Sequence, residues 1–220
     1  MDGRLFLGTL GFHENFIART LHTFAAGKSD GLLLITLHPV VKGVEIAMNN
    51  LYSLSLSLGI IKHDHIEVNP FNPLEGIGLI HDKLISIAER KGYSEVIADL
   101  TGGPRIVVVS TLLALLLVSD KIPVRLIVQD ETGGGGLLDL VLSPVLQALK
   151  GMGVKERILK LTVDRPGLRQ EEIAEALGVS DKTAANYISQ LVKLGLVARK
   201  GRARGVYPTS LGMLISRLIR

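Results

Sequence analysis

The stretch Asp99-Leu100-Thr101-Gly102-Gly103-Pro104-Arg105, DLTGGPR over residues 99–105, decides how the first two-thirds of the chain is read. It follows the apolar run Val96-Ile97-Ala98 and precedes a longer one, Ile106 to Val118. A short apolar run, paired glycines, a proline and then an apolar segment of helical length read as strand, turn and helix. Pro104 suits a first helical turn, because the N–H it lacks has no partner there anyway.

The same alternation continues on both sides. Residues 4–10 (RLFLGTL), 31–38 (GLLLITLH), 65–69 (HIEVN), 94–100 (SEVIADL) and 123–129 (PVRLIVQ) read as strands. Residues 13–24, 44–59, 74–91 and 106–119 between them read as helices. Five strands with four intervening helices predict an α/β fold, a Rossmann-like parallel sheet of doubly wound type covered on both faces. After Gln129 come four glycines, 133–136, and LLDLVL, which is expected to return as a hairpin partner of VRLIVQ.

Composition narrows the class. The 220 residues include no cysteine and no tryptophan, which excludes disulfides, thiolate chemistry and cysteine zinc sites. The most apolar run, residues 106–118, is 13 residues long, short of the ~20 a membrane span needs. The N-terminus has acids at 2 and 14 and no long apolar region, so no secretion signal is read and the cytoplasm is the expected compartment, with no membrane partner. Charge is uneven: residues 1–150 hold 12 Lys/Arg against 15 Asp/Glu, residues 151–220 hold 13 against 6. A basic final third predicts a nucleic-acid-binding module.

That final third carries the pattern QEEIAEALGVSDKTAANYISQLVKLGLV (170–197), read as a helix-turn-helix. Ala174 is small enough for a second helix to cross nearby, Gly178 permits the tight turn, and Ser180 is a good N-cap. Ile173, Leu177, Val179, Ile188 and Leu191 supply the internal packing. Ser180, Lys182, Thr183, Asn186 and Gln190 are the expected DNA-contacting positions of the helix, with Ala185 and Ser189 also facing outward. Arg199, Lys200, Arg202 and Arg204 form a basic turn expected to act as a wing on phosphates or the minor groove of double-stranded DNA. The domains are accordingly expected at 1–143 and 154–220, joined by a linker at 144–153 in which a helical segment around Pro144 to Lys150 leads to a flexible joint, Gly151-Met152-Gly153; the Leu142–Gly153 region would transmit any change.

Ligands of open parallel sheets bind at the carboxyl ends of the strands. At residues 99–105 the glycines allow close backbone approach, helix-start amides favour an anion, Thr101 offers a hydroxyl and Arg105 a fork of donors. The GxxxxGK[ST] phosphate loop is absent, which argues against a nucleotide triphosphatase, and the first strand lacks GxGxxG. Its turn is Gly8-Thr9-Leu10-Gly11-Phe12, where Thr9, Gly11 and Phe12 offer a hydroxyl, amides and an aromatic face.

A strand ending in TLGF, a later one ending in DLTGGPR and a C-terminal winged helix together resemble the CRISPR-associated transcriptional regulators that join a CARF domain, a CRISPR-associated Rossmann fold, to a winged helix-turn-helix. The resemblance covers nearly the whole chain. It implies a largely archaeal family of homodimers, paired through the CARF domain and linked to control of CRISPR-locus promoters. It also implies a regulatory ligand, a cyclic oligoadenylate and typically cyclic tetra-adenylate, bound across the dimer two-fold; no cofactor, metal or catalytic residue is expected. By this resemblance Thr9, Leu10, Gly11 and Phe12 of one turn and Thr101, Gly102, Gly103 and Arg105 of the other hold the ring. Two alternatives stay open: a slow ring nuclease that orients a 2′-hydroxyl for attack, with Thr101 and Arg105 as suspects, and a regulator sensing another nucleotide.

Other polar groups have simpler readings. Asp99 is expected to fix its turn by accepting backbone N–H bonds. His63-Asp64-His65 reads as a surface turn before a strand. His13 and Glu14 read as caps of the first helix, and Asp130 and Glu131 as solvated carboxylates.

Overall fold

The computed structural model describes residues 3–89, 92–132, 135–149, 152–200 and 205–218. The chain divides into two compact units, Met1–Leu142 and Ser143–Arg220.

The first unit runs β1 (Gly3–Thr9), α1 (Asn15–Thr23), β2 (Gly31–Leu37), α2 (Lys42–Ser57), β3 (Lys62–Val68), α3 (Pro73–Glu89), β4 (Tyr93–Asp99), α4 (Arg105–Val118), β5 (Val124–Gln129) and β6 (Leu137–Val141). The strands form one sheet in the order β3-β2-β1-β4-β5-β6. The first five are parallel, and β6 returns antiparallel to β5 with Gln129 opposite Leu137. This is the Rossmann-like arrangement that the alternating pattern predicts, closed at one edge by the hairpin.

Burial explains the unbroken apolar runs. Leu5 and Leu7 of β1 pack with Ile80 and Leu84 of α3 and Val107 and Leu115 of α4. Phe6, between them, packs on the opposite face with Ile17 and Leu21 of α1 and Leu51 of α2. A strand covered on both faces has no polar side to alternate with. Edge strand β3 is different. His63 bonds Ser55 Oγ at 2.7 Å and stacks on Tyr52, with ring centroids 4.9 Å apart. His65 Nε2 lies 2.8 Å from Thr36 Oγ1, and burial pushes its pKa down while Glu67 opposes this. The segment His63-Asp64-His65 is therefore strand, not the expected turn, because α2 and β2 give the two histidines partners on one face, while on the other Asp64 pairs with Lys83 of α3 at 2.8 Å and Val68 is buried with Ile80 and Leu84.

One further expectation is corrected. Glu14 sits at the N-cap of α1 but makes no side-chain cap; its carboxylate accepts from Asn50 of α2 at 2.8 Å. The helical segment expected around Pro144 to Lys150 is α5 (Leu142–Leu149), and Val145 and Met152 pack in the second unit's core. The 3.6-residue apolar spacing of Leu142, Val145 and Leu149 accounts for that helix.

The second unit continues with α6 (Val154–Asp164), α7 (Gln170–Leu177), α8 (Asp181–Lys193), β7 (Val197–Lys200), β8 (Gly205–Pro208) and α9 (Ser210–Leu218). Ile158, Leu159, Ile173, Ala184, Ile188, Leu191, Val206 and Ile215 are its core. Strands β7 and β8 pair antiparallel as a wing. Among the described residues no helix is long and apolar enough to cross a membrane.

One ion pair anchors the amino end of β1. Asp30 Oδ1 accepts from the Arg4 backbone N–H at 2.7 Å, and Oδ2 accepts from Arg4 Nη2 and Gly27 N, both at 2.9 Å. Arg4 also donates to the Phe24 carbonyl at 2.7 Å. Burial alone would raise the Asp30 pKa; the hydrogen bonds and charge of Arg4 with the Gly27 amide outweigh it and lower the pKa. A depressed carboxylate pKa contributes stability that is complete above its unfolded value, about 3.9, and is lost as pH falls through the folded value. Denaturant titrations are therefore expected to show stability falling below about pH 4 in the native protein, with a shallower fall in Asp30→Asn. That variant should also lose about 3 kcal/mol at neutral pH, because it leaves Arg4 partly buried without its counter-charge. An unchanged pH profile in Asp30→Asn would contradict this assignment.

Candidate functional site

Strands β1 and β4 are neighbours, paired from Arg4↔Glu95 to Gly8↔Asp99, so the turns that follow them lie side by side at the carboxyl end of the sheet. They meet backbone to backbone. A Cβ on Gly11 would stand 3.3 Å from Gly103 Cα, and one on Gly103 would stand 3.2–3.3 Å from atoms of Thr9 and Leu10. Gly103 has φ +90°, a conformation closed to most side chains. Thr9 Oγ1 donates to the Gly102 carbonyl at 2.6 Å and locks one turn to the other.

Asp99 fixes the second turn as expected, and does more. It is 1% exposed. Oδ1 accepts from the Thr101 N–H at 2.9 Å. Oδ2 accepts from Thr20 Oγ1 of α1 and, at 2.8 Å, from Gln129 Nε2 at the end of β5. Gln129 Nε2 also donates to the Phe16 carbonyl and Thr20 Oγ1, both at 2.9 Å. The Gln129 backbone N–H donates to Thr101 Oγ1 at 2.9 Å. This network joins β4, β5 and α1 beneath the turns. Its members lie far apart in sequence, and nothing in the local pattern of Thr20 or Gln129 marks them as partners of Asp99.

The structure sorts the eight positions expected to hold a ligand into two groups. Thr9, Leu10 and Thr101 are buried, and each is engaged: the Leu10 N–H goes to the Ile35 carbonyl at 2.9 Å, and the two hydroxyls are bonded as above. These three hold the turns and do not face solvent. The Thr101 hydroxyl in particular is buried, accepting from the Gln129 N–H. Gly11, Gly102 and Gly103 are half-buried and Arg105 is exposed. Phe12 is 65% exposed, and its ring lies on the start of α2, where a Cβ on Gly43 would come within 2.8 Å of Phe12 Cδ1. Gly43 is a further position that the sequence did not single out. Pro104 is the N-cap of α4, so the first amides of that 14-residue helix sit beside Arg105 and lack intrahelical partners. Backbone donors, a guanidinium and an aromatic face together suit a phosphate-linked aromatic ligand. Among the described residues no three His, Asp or Glu side chains converge as metal ligands.

In the second unit the helix-turn-helix is locally well determined. Glu172 reaches back to the Arg169 N–H at 2.6 Å, Gly178 ends α7 at φ +65°, and Ser180 Oγ caps α8 by accepting from the Thr183 N–H at 3.2 Å. Ser180 Oγ and Thr183 Oγ1 lie 2.8 Å apart, so both hydroxyls serve the cap first. Ala184, Ile188 and Leu191 are buried, while Lys182, Asn186, Ser189 and Lys193 are exposed at i, i+4, i+7 and i+11. Lys193 completes a face that the helical period already implied. Gln190 is half-buried and donates to Asn186 Oδ1 at 3.4 Å. Arg199 and Lys200 are exposed on β7; Arg202 and Arg204 lie outside the described residues.

Gly103→Ala places a side chain at a left-handed φ and against the first turn. It is expected to lower the unfolding free energy by about 2 kcal/mol, measured by denaturant titration. A neutral result would mean that the turns do not pack as described.

Residues 4–140 match the family of Csa3 CRISPR-associated Rossmann-like domains, and residues 154–198 match the winged helix-turn-helix DNA-binding family. The CRISPR locus-related protein Csa3 of Saccharolobus solfataricus is 28% identical over 213 residues, 96% of this chain and 86% of that protein. Among solved structures, Csm6 of Enterococcus italicus bound to cyclic hexa-2′-fluoro-hexa-dAMP is 12% identical with a TM-score of 0.52, over 88% of this chain and 52% of that one. MepR, a transcription regulator of the Staphylococcus aureus efflux pump MepA, is 22% identical with a TM-score of 0.31, over 34% of this chain and 59% of that one. The present chain thus spans little more than half of either solved chain, and the likeness to Csm6 concerns fold alone. With its first 140 residues matched nearly end to end and a winged helix behind them, the chain belongs to the Csa3 family of CRISPR-associated proteins.

Proposed function

We propose that this protein is a ligand-responsive transcriptional regulator of CRISPR-locus promoters. Its winged helix binds double-stranded DNA, and a cyclic oligoadenylate, cyclic tetra-adenylate by preference, binds at the paired glycine turns of a homodimer. The observation that carries the DNA half is the outward face of α8, where Lys182, Asn186, Ser189 and Lys193 stand exposed beside Arg199 and Lys200 of the wing. Short polar groups on a helix face with cations at its margin are the chemistry of major-groove readout with phosphate anchoring. The Saccharolobus relative is itself named for DNA binding.

The ligand half rests on the turns. Gly11, Gly102, Gly103 and Arg105 present amides and a guanidinium to an anion, and Phe12 an exposed ring to a base. A ring of four nucleotides has two-fold symmetry, so two copies of the same turns supply both halves of its site. Helix α4 supports pairing: Val109, Leu113 and Leu117 make an exposed apolar stripe at i, i+4 and i+8, on a helix whose only charge is Arg105. The fold neighbour Csm6 was solved with a cyclic oligoadenylate analogue, and that likeness speaks to the sheet alone. For the ring to regulate, it must bind the DNA-competent and incompetent arrangements with different affinity.

Two measurements test this reading. Binding of a CRISPR-promoter duplex, followed by fluorescence anisotropy, is expected to weaken steeply with salt, and Arg199→Ala should reduce the slope of log K against log[salt] by about one; a flat salt response would refute the DNA role. Calorimetric titration with cyclic tetra-adenylate should give one ring per two chains, with affinity falling at least tenfold in Arg105→Ala, about the effect of one charge-assisted hydrogen bond. Absence of binding to the native chain would refute the ring.

A further inference from the structure

Beside the candidate turns, α1 and the β5–β6 hairpin enclose a cleft of about 220 Å³ whose wall includes Arg19, Thr23, Phe24, Gln129, Asp130 and Gly136. It adjoins the second turn directly, since Gln129 bonds both Asp99 and Thr101. The space falls below the roughly 300–1,000 Å³ of sites that enclose a drug-sized molecule and suits one heterocyclic base. Phe24 gives it an aromatic wall, and Arg19 a planar guanidinium of the kind on which bases stack.

A second, independent observation concerns Gln129. The residue is 7% exposed, and its Oε1 is buried with no hydrogen-bond partner among the described residues. The amide cannot turn over to cure this. Nε2 is held by the Phe16 carbonyl, Thr20 Oγ1 and Asp99 Oδ2 at 2.8–2.9 Å, and a flip would set Oε1 against two oxygen acceptors. The side chain is therefore locked as a hydrogen-bond acceptor that lacks a donor. A buried acceptor left unmade is costly and calls for an explanation.

We propose that this cleft is a base-reading subsite: it takes an aromatic heterocycle with an exocyclic amine, and the amine donates to Gln129 Oε1. Adenine has that amine, and hypoxanthine carries an oxo group in its place, so the locked amide discriminates between them. The oxygen is covered in this structure, so the amine parts the cleft wall to reach it. The adenine can come from the ring of the preceding section, on which this form of the inference rests, or from a free adenine nucleotide.

The experiment is calorimetric titration of the full-length protein with three probes: cyclic tetra-adenylate, its inosine counterpart and adenosine 5′-monophosphate. It is run on the native chain and on Thr23→Trp. Thr23 is an exposed rim residue, and tryptophan there fills the cleft without touching the Asp99–Gln129 network. The expected result is a cyclic inosine ring at least tenfold weaker than the adenine ring, with Thr23→Trp weakening the adenine ring by a similar factor and abolishing the difference. Equal affinities for the two rings in a native chain that binds both would overturn the subsite while leaving the ring reading intact. If neither ring binds but adenosine 5′-monophosphate does, and Thr23→Trp abolishes that, the subsite stands for a free nucleotide and the ring reading falls. If none of the three probes binds, both fall.

Discussion

The arrangement at the carboxyl end of the sheet depends on one buried carboxylate. Asp99 leaves the last residue of β4 and accepts from a turn amide, a helix hydroxyl and the side-chain amide of the neighbouring strand. Without those donors a carboxylate at that depth would carry an unpaid desolvation cost. With them it becomes the joint at which β4, β5 and α1 are held in one geometry, and the glycine turns are presented above it. Substituting the carboxylate would orphan Thr20 and Gln129 together, so the network stands or falls as a unit.

This joint explains a division of labour between the two turns. Their hydroxyl-bearing residues, Thr9 and Thr101, point inward and spend their hydrogen bonds on the scaffold. The residues without side-chain polar groups, Gly11, Gly102 and Gly103, remain at the surface with Arg105 and Phe12. Backbone amides fixed by a rigid floor need little reordering when an anion arrives, and such preorganisation favours binding. The DNA-facing unit is built the same way: the Ser180–Thr183 cap and the Ala184–Ile188–Leu191 seam hold a helix whose other face is free to meet a groove.

Much of this was legible in the sequence. The continuous runs of β1, β2, β4 and β5 announced strands covered on both faces, and the glycines at 102–103 and 178 marked the turns. The order QEEIAEALGVS followed by a 3.6-period helix marked the helix-turn-helix. What stayed hidden was non-local. Gln129 sits 30 residues from the carboxylate it holds, and its polarity in an apolar strand reads locally as a mere strand end. The inward direction of the Thr9 and Thr101 hydroxyls was also hidden, because sequence reports the hydroxyl and not where it points. Only the start of edge strand β3, residues 62–64, escaped, because the partners of His63, Ser55 and Tyr52, come from α2.

The adjacency of β1 and β4 has a consequence for how the chain comes to be folded. The central strand cannot gain its second neighbour until some 90 further residues exist. Until then β1 presents an unpaired edge on a largely apolar strand, the kind of surface that invites association with other chains. Synthesis from the N-terminus therefore leaves the first three strands waiting, and the two glycine turns come into register in the same event that closes the core. The site is a late product of folding and appears only when the sheet is whole, so a chain interrupted before residue 99 lacks the site as well as the fold.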